Sequence, residues 1–179
     1  LSYSNKFVDL DKNLHDRNSF DCGEYELNTF IKTKACKHNE IGVSKTLVLP
    51  SIEILENKKY KICSFFSVAP TTISRETLPD NISKKLPTYP ITVFLIAQLG
   101  VNKEYHNQGL GKITLIKALE YLWKVNSKIT AFAIVVDCLN KDIEKFYSKY
   151  GFEFLIEHNN RIRMFIPMKT VNLLFKDQI

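Results

Sequence analysis

The sequence predicts an α/β fold with a mixed central sheet flanked by helices, and three observations carry that prediction. Short β-rich apolar runs alternate with runs of helical spacing, so residues 91–151 read as strand, helix, strand, helix. Two further β runs joined by Asn159-Asn160 read as a closing hairpin, because tight antiparallel connections use two-residue polar turns. No repeat, low-complexity stretch or Gly/Ser-rich linker interrupts the chain. With 45% hydrophobic residues over 179 positions, one domain spanning 1–179 can bury a sizeable core.

In chain order, Asp21 can cap a helix with Glu24 three residues on, and Leu27, Phe30 and Ile31 line one side, which places helix one over about 22–39. "KTLVLP" and "KYKICSFFSVAP" read as adjacent antiparallel strands, with polar "SIEILENKK" as the hairpin or connecting loop. Residues 71–90 hold three of the six prolines and little apolar content, so a surface excursion with a helical turn is expected. "ITVFLIAQLGV", 91–101, is a buried strand by its length and β-branched content. From Lys112 to about Lys124, Ile113, Leu115, Ile116, Leu119, Leu122 and Trp123 build a mostly buried helix, leaving Lys117, Glu120 and Lys124 wet. "ITAFAIVV", 129–136, is the next core strand. Asn140 can then cap a short helix that Gly151 ends, and "FEFLIEH" and "RIRMFIPMK" finish the chain as the hairpin.

Composition excludes several classes. No segment approaches the roughly 18 to 20 uninterrupted apolar residues of a membrane span. The opening "LSYSNKFVDLDKN" lacks the charged-then-apolar order of a secretory signal, so a cytoplasmic protein without membrane contact is expected. Cys22, Cys36, Cys63 and Cys138 form no CxxC pair, and His15, His38, His106 and His158 show no metal-ligand spacing. Free thiols and no metal are expected. A net charge of +6 and a pI near 9.0 point to an anionic partner.

"HNQGLGKITL", 106–115, puts two glycines at the start of the central helix. Such a turn aims unpaired backbone N–H groups and the positive end of the helix dipole at one point, where phosphate is the natural occupant. A Walker loop is excluded because Lys112 is followed by Ile113 and no glycine stands five residues before Gly111. The dinucleotide fingerprint is excluded because Thr114 occupies the place of its third glycine.

The remaining pattern, a strand ending in "QLGVNKEY", the turn "HNQGLG" and the helix "KITLIKALEYL", resembles motif A of the GCN5-related N-acetyltransferase (GNAT) superfamily. The "FYSKYGF" element about 30 residues later is similar to the family's "FYxxxGF". The resemblance implies acetyl-coenzyme A as cofactor. Leu99, Gly100 and Val101 would present backbone to the pantetheine arm. His106, Asn107, Gln108, Gly109, Leu110, Gly111 and Lys112 would wrap the pyrophosphate, and Asn140, Phe146 and Tyr147 would lie at the thioester. His106 stands where the family usually has Gln or Arg, a departure of small consequence when backbone N–H groups make the cradle.

Acetyl transfer to an amine needs a neutral nucleophile, a polarised thioester carbonyl and a proton for the departing thiolate, but no acyl-enzyme. The resemblance implies that Tyr147 is the general acid. Glu104, Asp137 and Glu144 are the available bases, and none stands out. A free α-amine, with a pKa of about 7.7 to 8.0, needs less help than a lysine side chain near 10.4. Cys138 has no neighbouring histidine in sequence to activate it as a nucleophile.

"HDRNSFDCGEYELNTFIK", with Asp16, Phe20, Cys22, Gly23 and Leu27, and the closing "FIPM", Phe165 to Met168, resemble a narrower group: the GNAT toxins of toxin–antitoxin pairs. That resemblance implies acetylation of the α-amine on charged tRNA. It also implies a ribbon-helix-helix antitoxin, operator DNA bound through the antitoxin, and a homodimer. Gln98 departs from the group's usual arginine. Lys34 and Lys37, with Lys45 beyond them, Lys84 and Lys85, and Arg161 and Arg163 are the candidates for tRNA phosphate contacts. Two rival readings are a GNAT enzyme acting on a small amine or protein amino group, and a non-catalytic module that binds antitoxin and operator DNA.

Overall fold

The computed structural model describes residues 3–178. Its packing groups Leu1–Ala69 with Ala97–Ala118, and Pro70–Ile96 with Leu119–Ile179. The sequence carries no linker between these units because they are not successive segments. Residues 1, 2 and 179, which belong to the expected 1–179 domain, lie outside the described residues, as does the start of the segment read for a signal.

The first unit is built on β3 (Lys45–Ile54) and the adjoining part of β4 (Tyr60–Ile73), which pair antiparallel from Lys45↔Val68 to Ile54↔Tyr60. The register shifts at Pro50, which has no N–H to give the ladder. Two short strands that sequence reading did not anticipate flank them: β1 (Val8–Asp9) antiparallel to β3, and β2 (His15–Asp16) parallel to β4. At two residues each, they carry too little alternation to be read from pattern. Phe20, Phe30, Ile31, Val48, Ile62 and Phe65 form the core beneath the helical arm.

That arm differs from the expected 22–39 helix. It comprises α1 (Tyr25–Thr29), a π-helical turn (Phe30–Lys34) and α2 (Ala35–Glu40). Asp21 does not cap it. Gly23, at φ 87°, turns the chain, and the Asp21 carboxylate accepts from Gly23 N–H (2.9 Å) and Asn28 Nδ2 (2.9 Å) instead. The widened turn is held from outside by Arg17 Nη1, which donates to the Lys32 carbonyl at 2.9 Å, and from within by Thr33 Oγ1, which donates to the Thr29 carbonyl at 2.7 Å.

The second unit holds a mixed set of strands. The part of β5 (Ile91–Val101) up to Ile96 pairs parallel with β6 (Ala133–Cys138), β6 pairs antiparallel with β8 (Arg161–Pro167), and β8 with β7 (Glu153–His158). Asn159 and Asn160, at φ 49° and 58°, make the tight turn read from sequence. β6 starts four residues later than expected. Lys128 and Ile129 N–H groups fold back onto the Val125 carbonyl, and Asn126 Oδ1 accepts from Ala131 N–H, so the preceding helix unwinds slowly.

Residues 71–90 are not wholly a surface excursion. β4 runs to Ile73, α3 covers Asp80–Ser83, and Ile73 and Leu78 are buried with Val93, Val135 and Phe165. Arg75 Nη1 closes the loop on the Leu86 carbonyl at 2.8 Å. The chain also does not end on the hairpin, because Met168–Phe175 form α6, with Met168, Val171 and Phe175 buried. Trp123 Nε1 donates to Asn172 Oδ1 (3.0 Å), tying α6 to helix α4 (Leu110–Asn126). α4 itself is as read, two residues longer at each end. α5 (Lys141–Ser148) completes the elements. Among the described residues, no helix is long and apolar enough to cross a membrane.

Candidate active site

β5 ends at Val101, and the chain approaches α4 through a tightly bonded segment of the first unit. Asn102 is buried. Its N–H donates to the Cys63 carbonyl (2.9 Å), its amide to the Ile62 carbonyl (3.4 Å), and its side-chain oxygen accepts from Glu104 N–H (3.3 Å). Tyr105 and Leu110 are buried with Leu49 and Cys63, so both flanks of the intervening turn are anchored in apolar packing.

Residues 106–109 between these anchors are exposed. His106 Nε2 lies 2.8 Å from the Val101 carbonyl, and because a carbonyl can only accept, that nitrogen carries the ring proton. Gln108 Nε2 donates to the Glu104 carbonyl at 3.0 Å. Both side chains thus fold back on their own segment, and the outward surface of the turn is main chain. Asn107 and Gly109 adopt φ of 59° and 78°, left-handed values that Asn tolerates and Gly adopts without penalty. Alternating left-handed residues point successive N–H groups to one side and create an anion-binding concavity.

A Cβ at Gly109 would meet nothing within 4 Å. The first turn of α4, which includes Gly111 and the exposed Lys112, adds N–H groups that have no intrahelical acceptor. Ile113 N–H is the first to find one, the Gly109 carbonyl at 3.2 Å. Thr114, buried, bonds the Leu110 carbonyl (2.7 Å) and the Ser64 hydroxyl (2.9 Å) and fixes the helix start. Residues 106–112 therefore fit a diphosphate: the turn at 106–109 is exposed and open in front, and the segment presents amides.

The expected pantetheine-facing trio divides by role. Leu99 and Val101 are half-buried, and the Val101 carbonyl is held by His106. Gly100 is buried, and a Cβ there would stand 2.8 Å from the Phe65 ring and 3.4 Å from Phe20. Its lack of a side chain is required by packing.

In the second unit, Asn140 caps α5 as expected, its Oδ1 accepting from Asp142 N–H (3.1 Å) and Ile143 N–H (3.0 Å). That oxygen is committed to the helix. Tyr147 is buried, with its ring edge-to-face against Phe146 (5.3 Å) and Phe152 (5.2 Å). Burial, and next the nearby Cys138, push its phenol well above the usual tyrosine range, so it stays protonated. Burial likewise pushes the Cys138 thiol up to about 11, with Glu144 and Asp137 adding to the effect. A thiol so held is not a thiolate at neutral pH, which agrees with transfer that uses no cysteine intermediate.

Each of the three sequence-named carboxylates holds a cation. Glu104 bonds Lys61 Nζ at 2.7 Å and Glu144 bonds Lys141 Nζ at 3.1 Å. Asp137 takes a two-pronged contact from Arg163, Nε to Oδ1 at 2.7 Å and Nη2 to Oδ2 at 2.8 Å. Arg163 is consequently bound to its neighbour strand rather than displayed for RNA. Lys34, Lys37, Lys84 and Lys85 are exposed, and Arg161 is half-buried.

Sequence reading missed Asn102, whose bonds to the Cys63 and Ile62 carbonyls anchor the segment before the turn. The clue was "VNKEY", a buried-type Asn followed by alternating charges. A cavity of about 930 Å3 elsewhere in the first unit, lined by Leu10, Asp11, His15, Asn39 and Tyr60 among others, includes none of the predicted site residues. Among the described residues, no cluster of three or more His, Cys, Asp or Glu could hold a metal ion.

Residues 86–152, which contain β5, the turn, α4, β6 and α5, match the family model described as the acetyltransferase (GNAT) family. The chain is 29% identical to the probable toxin TacT of Sinorhizobium fredii, over 92% of this chain and 92% of that protein. It is 24% identical to a tRNA-acetylating toxin of Mycobacterium tuberculosis, over 90% and 92%. In three dimensions it is similar to AtaT complexed with acetyl-methionyl-tRNAfMet, with TM-score 0.83, 23% identity and coverage of 95% and 98%. A tyrosine-to-phenylalanine mutant of AtaT bound to the C-terminus of the antitoxin AtaR and acetyl-CoA gives TM-score 0.78, 19% identity and coverage of 95% and 97%.

Proposed function

From the match of residues 86–152 to the acetyltransferase (GNAT) family, we infer that the chain is a member of that family and a toxin that transfers the acetyl group of acetyl-CoA to the α-amine of aminoacyl-tRNA and so blocks translation. The observation that carries the enzymatic part is the amide-lined turn at 106–112, open in front of Gly109 and free of side chains that would fill it. The choice of substrate is supported by likeness to tRNA-acetylating toxins over 90% of the chain, well beyond the 86–152 segment that any GNAT enzyme shares.

In this reading the turn and the start of α4 bind the diphosphate, worth about 0.3–2 kcal/mol from the helix end alone. Acetyl-CoA supplies the activated acyl group. The neutral Tyr147 phenol donates a hydrogen bond to the negative charge that develops on the leaving sulfur. It releases its proton only as the attacking nitrogen supplies a replacement, since a phenol held so far up the scale is a strong hydrogen-bond donor but a reluctant acid. An α-amine with a pKa of about 7.7–8.0 is partly neutral at physiological pH, so water suffices as base and Glu104, Asp137 and Glu144 keep their ion pairs.

The reading includes a ribbon-helix-helix antitoxin that binds operator DNA, a homodimeric toxin, and action in the cytoplasm. Lys34, Lys37, Lys84, Lys85 and Arg161 contact tRNA phosphates in it, and Arg163 is left to Asp137. Incubation with acetyl-CoA and a charged-tRNA pool, read by mass spectrometry, tests it. Acetylated aminoacyl-tRNA is expected, and acetylation only of small amines or protein would favour the other GNAT reading.

A further inference from the structure

Two ion pairs converge on the three residues between the buried Asn102 and the glycine turn. Lys103 Nζ lies 2.5 Å from Asp21 Oδ2, and Lys61 Nζ lies 2.7 Å from Glu104 Oε2. The first is doubled by the main chain, as Lys103 N–H donates to the Asp21 carbonyl at 2.8 Å. Asp21 is itself immobilised, because its other oxygen accepts from Gly23 N–H and from the Asn28 amide. Asn28 Oδ1 in turn accepts from Cys22 N–H at 2.9 Å.

We propose that Asp21 and Lys103 form a clasp that sets the position of the diphosphate-binding turn, making both of them positioning residues for acetyl-CoA. The inference rests on the acetyltransferase reading above. A cradle made of amides gains affinity only if those amides are already aimed when the anion arrives. Tyr105 and Leu110 anchor the ends by packing, but packing does not fix the twist of an exposed four-residue turn. Lys103 stands three residues before His106 and Glu104 four before Gln108, whose side chains complete the turn on Val101 and Glu104 carbonyls. A free residue 103 would let that frame rock. The clasp also joins the "DCGE" segment, which leads into α1, to the cofactor turn.

Three variants test it: Lys103→Met, Asp21→Asn and the double variant, with Lys103→Arg as the conservative control. Asn at 21 keeps an oxygen for Gly23 and Asn28, so folding is preserved. Amide hydrogen exchange of residues 106–112 in the free protein should quicken in all three variants and stay at the parent rate in Lys103→Arg. Acetyl-CoA affinity should fall by about two- to fivefold, the range of an exposed ion pair, with kcat at saturation within twofold of parent. The double variant should lose no more than either single one. Unchanged exchange in Lys103→Met overturns the clasp. So does weaker binding in Lys103→Met without any in Asp21→Asn, which would mean that Lys103 touches the cofactor itself. A parent protein that fails to bind acetyl-CoA would remove the acetyltransferase reading, while the exchange rates would still decide the clasp.

Discussion

Tyr147 is held on two sides by aromatic rings, and its hydroxyl is the only part of it that phenylalanine lacks. Tyr147→Phe should keep the packing and lower kcat by about 10²- to 10⁴-fold while acetyl-CoA affinity stays at the parent value, measured by calorimetry beside initial rates. Equal kcat would take Tyr147 out of the chemistry. Cys138 gives a second check. With its thiol pushed up to about 11, iodoacetamide should leave it unmodified at pH 8 in the folded protein and label it as pH rises toward that value. Sequence singled out both residues, Tyr147 by resemblance and Cys138 as a thiol without a base. What sequence could not give was the state of each group, because burial depends on which elements close over it.

At the scale of elements, Gly100 and Asn140 illustrate how a site is kept in shape by residues whose reasons are mechanical. Gly100→Ala would push a methyl to 2.8 Å from the Phe65 ring, and overpacking of that kind costs about 1–3 kcal/mol, readable as a lower urea midpoint. A parent-like midpoint would show that Phe65 can move aside. Asn140→Ala removes the cap of α5, and about 0.5–2 kcal/mol with it. The long, strongly patterned elements were legible: β5, α4, the α5 cap and the Asn-Asn hairpin. Helix one was mis-bounded because Asp21 satisfied the capping pattern yet found better partners in Gly23, Asn28 and Lys103. α6 was missed because Pro167 and the short span of "MKTVNLLF" hid a buried stripe of Met168, Val171 and Phe175. The Asp21–Lys103 pairing could not be read from local pattern, since the two residues are 82 positions apart.

Across the whole molecule, the α/β class and a mixed sheet flanked by helices follow from alternating strand and helix patterns, and the matched family segment covers the part where that alternation is clearest. The +6 charge is consistent with an RNA substrate, and log affinity for charged tRNA should fall linearly with log salt. Stability also carries a pH signature. His15 is buried, and burial lowers its pKa, so the folded chain prefers the neutral ring. Stability should be lost as pH falls through the unfolded value of 6.5. A flat melting temperature across about one pH unit either side of that value would contradict this.

The enzyme's pH–rate profile should rise through about 7.7–8.0, where the substrate α-amine loses its proton. The most direct measurement of the central claim is mass spectrometry of aminoacyl-tRNA after incubation with isotopically labelled acetyl-CoA and the purified protein. One labelled acetyl group is expected on the α-amine of the amino acid, formed by the parent and nearly abolished in Tyr147→Phe. Unmodified aminoacyl-tRNA in the presence of a protein that binds acetyl-CoA would contradict it.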